Sequence, residues 1–233
     1  MKIRKMRIST AKTEVMAFSR RPIDCTIHVK GTQLKQVDEF KYLGSIFAEN
    51  GRQDREIDRR INLASGVSRE LWKTMISNPH LSRQSKLAVF RSVFKPTLTF
   101  GAQTWILDTS TRSRLEATEM RFLRKILGVT RLDMIRNTHI RETLSVDSLL
   151  LDVERSQMRW LGQVLTMPQD RMALRILEAE PQERRPPGRP RTRWMDQLKK
   201  ICQRAGVEAD SIKQEAEDRT GWRRLIADLR DPD

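Results

Sequence analysis

The stretch EIDRRINLASGVSRELWKTMISNP, residues 56–79, decides the fold class. Ile57, Ile61, Ala64, Val67, Leu71 and Met75 recur in it at three- and four-residue steps, the spacing of one face of an α-helix. Asn78-Pro79 stops it, because the residue before a proline is pushed out of the helical region. An isolated helix with one apolar stripe is marginal in water, so the pattern predicts packing neighbours. They follow at once. Ser82 or Ser85 opens a second helix with Leu87, Val89, Phe90 and Val93 inward, and Pro96 predicts a kink or break before Trp105. Thr109 or Ser110 opens a third, with Leu115, Phe122, Leu123, Ile126 and Leu127 inward and Gly128 as its stop. Residues 51–130 therefore read as a three-helix bundle.

Upstream, over residues 1–50, the period is two. Residues 14–18 (EVMAF), residues 26–30 (TIHVK) ending at Gly31, and the run Phe40-Lys41-Tyr42-Leu43 closed by Gly44 predict a small antiparallel sheet. So few strands make a poor independent core, and they read as the margin of a larger sheet whose unpaired edge favours self-association. Downstream, residues 131–180 form a helical segment. Asn137-Thr138 opens a short helix and Leu144-Ser145-Val146 breaks it. Leu150, Val153, Trp160, Leu161 and Val164 stripe a longer one that ends before Pro168. Two helices across so tight a turn have a helix-turn-helix-like pattern, which ordinary helix packing also produces. A connector at 181–193 leads to C-terminal helices over 194–233: one at about 192–204, and one from Ser211 with Trp222, Leu225, Ile226 and Leu229 inward. The fold class is mainly α, with a small N-terminal antiparallel β region and a helical bundle followed by further C-terminal helices.

Composition narrows the partners. The 233 residues are 38% hydrophobic, enough for a core, yet 45 Lys and Arg against 30 Asp and Glu leave a net charge of +15. Clustered positive charge of that size points to a polyanion, with a merely solvated basic surface as the other reading. The basic N-terminus has no continuous apolar segment behind it, and every apolar run is shorter than a bilayer requires. The expectation is an intracellular protein, nuclear or cytoplasmic, neither secreted nor membrane-bound. Cys25 and Cys202 are far apart, and His28, His80 and His139 make no ligand-spaced cluster with them, so no zinc site is assigned.

Catalytic chemistry is not legible. Two-metal phosphoryl transfer needs closely placed carboxylates, and the sequence holds no Asp-Asp pair. Asp54 and Asp58, beside Arg55, Arg59 and Arg60, read as a solvated ion-pair face. No catalytic residue, metal ligand or cofactor is assigned to the chain. Binding chemistry is legible. Arg114, Arg121 and Lys125 line one side of the third helix and can track a phosphate strand. Arg184, Arg185, Arg189, Arg191 and Arg193 are packed into ERRPPGRPRTRW beside Trp194, where Pro186, Pro187 and Pro190 exclude helix and central strand. Arg-Gly-Arg-Pro is the core of an AT-hook, but Pro187 stands where that motif has its first arginine. Trp72, Trp160, Trp194 and Trp222 occupy apolar helix positions and read as core rather than as stacking platforms.

A series of boxes then comes in order: Lys12-Thr13-Glu14-Val15-Met16, Phe40-Lys41-Tyr42-Leu43-Gly44-Ser45, Glu56-Ile57 with Arg60-Ile61, and Leu123-Arg124-Lys125-Ile126-Leu127-Gly128. Glu154-Arg155, Arg159-Trp160-Leu161-Gly162, Gly188-Arg189-Pro190-Arg191-Thr192-Arg193-Trp194 and Asp218-Arg219 with Trp222-Arg223 complete it. The series resembles the C-terminal portion of the reverse transcriptases of non-LTR retrotransposons, the jockey-like or long-interspersed-element class. What the resemblance implies is specific. Residues 1–50 match the end of the palm, Lys12 the palm lysine near the incoming nucleotide, and Phe40, Lys41, Tyr42, Leu43 and Gly44 the hairpin that grips the primer end. Residues 51–130 match the thumb, and the arginine-proline segment matches the family's connector before a tryptophan-containing helix. Template-primer RNA and DNA are the implied partners, together with the fingers and palm, which with their Mg-binding aspartates precede Lys12 in the family. The expectation is a truncated RNA-directed DNA polymerase that binds template-primer but is inactive alone. The alternatives are a sequence-tolerant DNA-binding protein and an inert structural remnant.

Overall fold

The structure, a computed structural model, describes residues 8–18, 23–179 and 192–231. The fold is mainly helical with a small N-terminal β region. The chain separates into two compact units, Met1–Arg59 and Arg60–Asp233, with the boundary inside the first long helix.

In the first unit the β residues pair locally. Strand β2 (His28–Val29) pairs antiparallel with β3 (Thr32–Gln33), and β5 (Glu39–Tyr42) with β6 (Ser45–Ala48). Both hairpins close on a two-residue turn ending in glycine, with φ positive at both positions: Lys30 and Gly31 at 53° and 78°, Leu43 and Gly44 at 47° and 86°. Turns of that hand match the twist of the flanking strands. Strand β1 (Glu14–Val15) pairs in parallel with β4 (Lys35–Gln36). The single antiparallel sheet expected from residues 14–18, 26–30 and 40–43 is therefore three separate two-stranded pairs. Tight turns close the two hairpins at little entropic cost, and β2 spends its ladder bonds on β3 rather than on β1.

Helix α1 (Asp54–Leu71) opens with Asp54 and Glu56 in its first turn, which suits the positive end of a helix. It then widens into a π-helical turn, Trp72–Ile76. The extra residue shifts the buried position from the expected Met75 to Ile76, which is 2% exposed. Helix α2 (Arg83–Val89) is capped by the Ser82 side chain, which accepts from the Ser85 N–H. A second π turn, Phe90–Phe94, leads into α3 (Lys95–Leu98). Pro96 accordingly does not break the helical path. It lacks an N–H and its ring crowds the carbonyl four residues back, and the widened turn just before it accommodates both. The register slip also buries Phe94 and exposes Val93, which was expected inward.

Helix α4 (Thr109–Leu127) is the centre of the second unit. Asp108 caps its start, accepting from the Thr111 N–H at 2.7 Å, and Gly128 ends it in the left-handed conformation. Phe122 from α4 meets Phe90 and Phe94 at centroid distances of 5.6 and 4.3 Å. Helices α5 (Asn137–Leu144), α6 (Leu149–Leu165), α7 (Met172–Glu178) and α8 (Trp194–Arg204) follow. The last helix expected from Ser211 is two, α9 (Ile212–Glu217) and α10 (Arg219–Asp228), because Asp218 interrupts it and caps α10 through the Thr220 N–H. Met158, Leu161, Leu198, Ile201, Cys202, Trp222 and Ile226 form one core across α6, α8 and α10. Burial pushes the Cys202 thiol up to about 11, so it is an inert packing group.

Candidate nucleic-acid interface

In the first unit the hairpin β5–β6 is fixed to α1 by a buried carboxylate. Glu56, 3% exposed, accepts the Ile46 N–H at 2.8 Å. Arg59 pairs with Glu56 at 3.3 Å and donates to the Gly44 carbonyl at 3.0 Å, while Arg55 reaches Asp38 and Glu39. Held this way, the hairpin turns Phe40, Tyr42 and Phe47 to one side. The register pairs Phe40 with Phe47 and Tyr42 with Ser45, so the three rings share a face, and all three are exposed. Lys41, Leu43 and Gly44 lie beside them in the strand and its turn. Lys12 lies in an exposed turn closed by its own N–H on the Ser9 carbonyl and by the Thr13 hydroxyl on the same oxygen.

The second unit carries a basic group on α4. Arg121 and Lys125 are one turn apart on α4. Lys125 Nζ donates to the hydroxyl of buried Ser68 at 3.2 Å and stands 5.6 Å from the centre of the Trp72 ring. Partial burial, then the nearby charges of Arg121 and Arg69, hold the Lys125 ammonium below its ordinary pKa of 10.5. Arg69 and Arg121 therefore lie near Lys125, whose ammonium stands over the exposed ring of Trp72. Trp72, expected in the core, is 40% exposed, because the π turn that starts with it carries it off the buried stripe of α1. Arg114 is exposed two turns upstream on α4. The sequence reading named Arg114, Arg121 and Lys125, did not name Arg69, and read Trp72 as core. The three-residue spacing of Arg69 and Trp72, which puts both on one helix face, was the available signal.

Arg193 has an exposed side chain, and its backbone N–H is bound by Asp196 at 3.0 Å, so it sets the start of α8. Arg184, Arg185, Arg189 and Arg191 lie outside the described residues. Trp194 is half-buried and donates its indole N–H to the Gln103 carbonyl at 2.9 Å.

The boxed Glu154 and Arg155, and buried polar residues outside the boxes, do architectural work. Glu154, 1% exposed, is held between Arg112 at 3.1 Å and Arg204. Gln157, fully buried, donates to the carbonyls of Ala102 and Trp105 and accepts from Gln197, whose own carbonyl oxygen takes the Leu107 N–H. Arg155 donates to the carbonyls of Ala227 and Leu229 at the end of α10. A fully buried Glu119 accepts from Arg141 at 2.7 Å and from the Leu149 N–H at 2.9 Å. Burial pushes Glu119 upward despite Arg141, and the flanking carboxylates keep Arg141 charged. Among the described residues no group of three His, Cys, Asp or Glu could hold a metal ion, and no helix is long and apolar enough to cross a membrane.

Comparison of the sequence shows that the homologues of this chain are transposon-derived proteins. One is an uncharacterized transposon-derived protein of Caenorhabditis elegans, 26% identical over 203 residues, 84% of this chain and 72% of that protein. The other, from Drosophila melanogaster, is named "Probable RNA-directed DNA polymerase from transposon X-element" and is 22% identical over 180 residues. That match covers 76% of this chain and only 19% of the Drosophila protein. No family model matches. No solved structure matches either.

Proposed function

We propose that this chain is the end-of-palm, thumb and C-terminal region of a retroelement reverse transcriptase and that it holds template-primer nucleic acid. The observation that carries the reading is Lys125 on α4, held over exposed Trp72 and bonded to Ser68, with Arg121 and Arg69 near it. Partial burial and then the neighbouring arginines disfavour the Lys125 ammonium in the free protein, and a bound polyanion relieves the like-charge repulsion. Phosphates meet the cations while Trp72 offers a ring to an unstacked base. The exposed rings of the β5–β6 hairpin suit a second contact, at the primer end, and Lys12 one near the incoming nucleotide. The likeness to a transposon RNA-directed DNA polymerase supports this reading. In it, phosphoryl transfer and its Mg ions belong to other segments of the polymerase, and this chain alone does not extend a primer. The arginines at 184–193 add further phosphate contacts. The test is a filter-binding titration of the purified chain with an RNA–DNA hybrid at several salt concentrations. Submicromolar binding that weakens steeply with salt is expected, and binding that is absent at low salt excludes the reading.

A further inference from the structure

The loop between α4 and α5 presents two large apolar side chains to solvent. Leu132 is 90% exposed and Met134 86%, the two highest values among the exposed large hydrophobic residues described. Single exposed apolar residues are common on proteins, but this pair stands on a built support. Asp133 Oδ2 accepts from the Thr130 N–H at 2.6 Å and from its hydroxyl at 2.8 Å, and that hydroxyl oxygen accepts the Leu132 N–H at 3.2 Å. The Met134 N–H reaches the Arg131 carbonyl at 3.3 Å. Below the tip, Arg124 donates to the Ile135 carbonyl and to Asn137 Oδ1, tying the loop to α4 and α5. Met134 takes φ of 54°, a region that costs a side-chain-bearing residue free energy and is tolerated where the surroundings impose it. The loop therefore spends hydrogen bonds and backbone strain to hold two apolar side chains in water.

The charges beside the tip indicate its occupant. Arg131 and Arg136 flank it and are both exposed, while the one carboxylate within it, Asp133, is turned onto Thr130. An apolar point between two cations fits a nucleic-acid duplex. Leu and Met side chains can enter between base steps and unstack them while arginines take the phosphates on either side. The loop also follows directly from the helix that carries Arg121 and Lys125, so the tip stands a few residues beyond that basic helix in the chain. We propose that Leu132 and Met134 form a wedge that inserts into the base stack of a bound duplex, with Arg131 and Arg136 gripping the flanking phosphates. This rests on the nucleic-acid reading above.

The test uses the full chain and RNA–DNA hybrid and DNA duplexes carrying 2-aminopurine at successive steps. Binding of the wild type should raise the fluorescence several-fold at one or two adjacent steps. The Leu132→Ala, Met134→Ala double variant should still fold, since both side chains are in solvent. It should lose most of the fluorescence rise and bind about tenfold more weakly, with the salt dependence unchanged. Arg131→Ala with Arg136→Ala should instead lower the log–log salt slope by about 2. Wild type that binds with a steep salt dependence but unstacks no step overturns the wedge and leaves the nucleic-acid reading standing. So does a double variant that unstacks as well as the wild type. Wild type that binds neither duplex overturns both. Association with vesicles of phosphatidylserine and phosphatidylcholine that is lost in the double variant, without unstacking of any duplex, assigns the tip to membrane and overturns the wedge.

Discussion

The indole ring of Trp222 lies against the bare Cα of Gly162, where an added Cβ would stand 2.4 Å from its Nε1, and it donates that N–H to the Met158 carbonyl at 3.0 Å. Two residues that look like separate sequence boxes are one contact, and it brings α10 onto α6. Gly162→Ala should push the ring away and break the hydrogen bond, at a cost of about 1–3 kcal/mol. Urea denaturation of the variant against the wild type measures it. A stability within experimental error of the wild type would show that the ring has room to move.

Glu154 makes a second joint, between α6, α8 and the start of α4. Glu154→Ala leaves Arg112 and Arg204 facing a cavity and should cost about 3 kcal/mol, because removing one member of a buried pair strands the others. Glu154→Gln keeps the shape and should cost less. Neither folded variant should change the salt dependence of nucleic-acid binding, which separates scaffold from interface.

The hairpin should behave as a stacking surface. Tyr42→Ala removes a largely exposed ring and should leave folding nearly unchanged, while Phe40→Ala also removes the cross-strand pair with Phe47 and should cost up to about 1 kcal/mol of stability. Each should weaken binding to a primer-template by about 1–3 kcal/mol with the salt slope unaltered. Fluorescence anisotropy with a recessed primer and with a blunt duplex measures the effect, which should be larger for the recessed end.

Lys125 sets a pH dependence. Its free-state pKa lies below 10.5 because partial burial and two arginines disfavour the ammonium, and bound phosphate favours it. The free protein therefore loses this proton before the complex does, and affinity falls as pH rises through the lowered pKa. The fall should begin at lower pH than for an ordinary lysine. It should be absent in Lys125→Arg, which does not titrate there, and should move to higher pH in Arg121→Ala. Binding titrations across the alkaline range give all three curves.

Much of the helical fold is legible because caps and stripes are local. Ser82, Gly128 and the apolar positions of α4 act within a few residues of themselves. What escaped depends on distance or on register. The π turns at 72–76 and 90–94 insert a residue into an otherwise regular period, so Met75 and Val93 yield their inward places to Ile76 and Phe94. The parallel pairing of β1 with β4 needs a contact that no turn signal announces. Buried Glu119, Glu154 and Gln157 look like surface residues until their partners on other helices are seen. At the proposed interface, Arg121 and Lys125 are visible from the period of α4. Arg69 and Trp72 join them only because Ser68 and Trp72 pack under Lys125.

The most direct test of the interface is the salt dependence of hybrid binding by the wild type and by a variant with Arg69, Arg121 and Lys125 all changed to alanine. Each phosphate neutralised on a duplex contributes about 0.9 to the log–log slope, so the variant should bind more weakly to every sequence and lose about 2 to 3 from the slope. A folded variant with the wild-type slope would contradict the assignment of this cluster as the nucleic-acid surface.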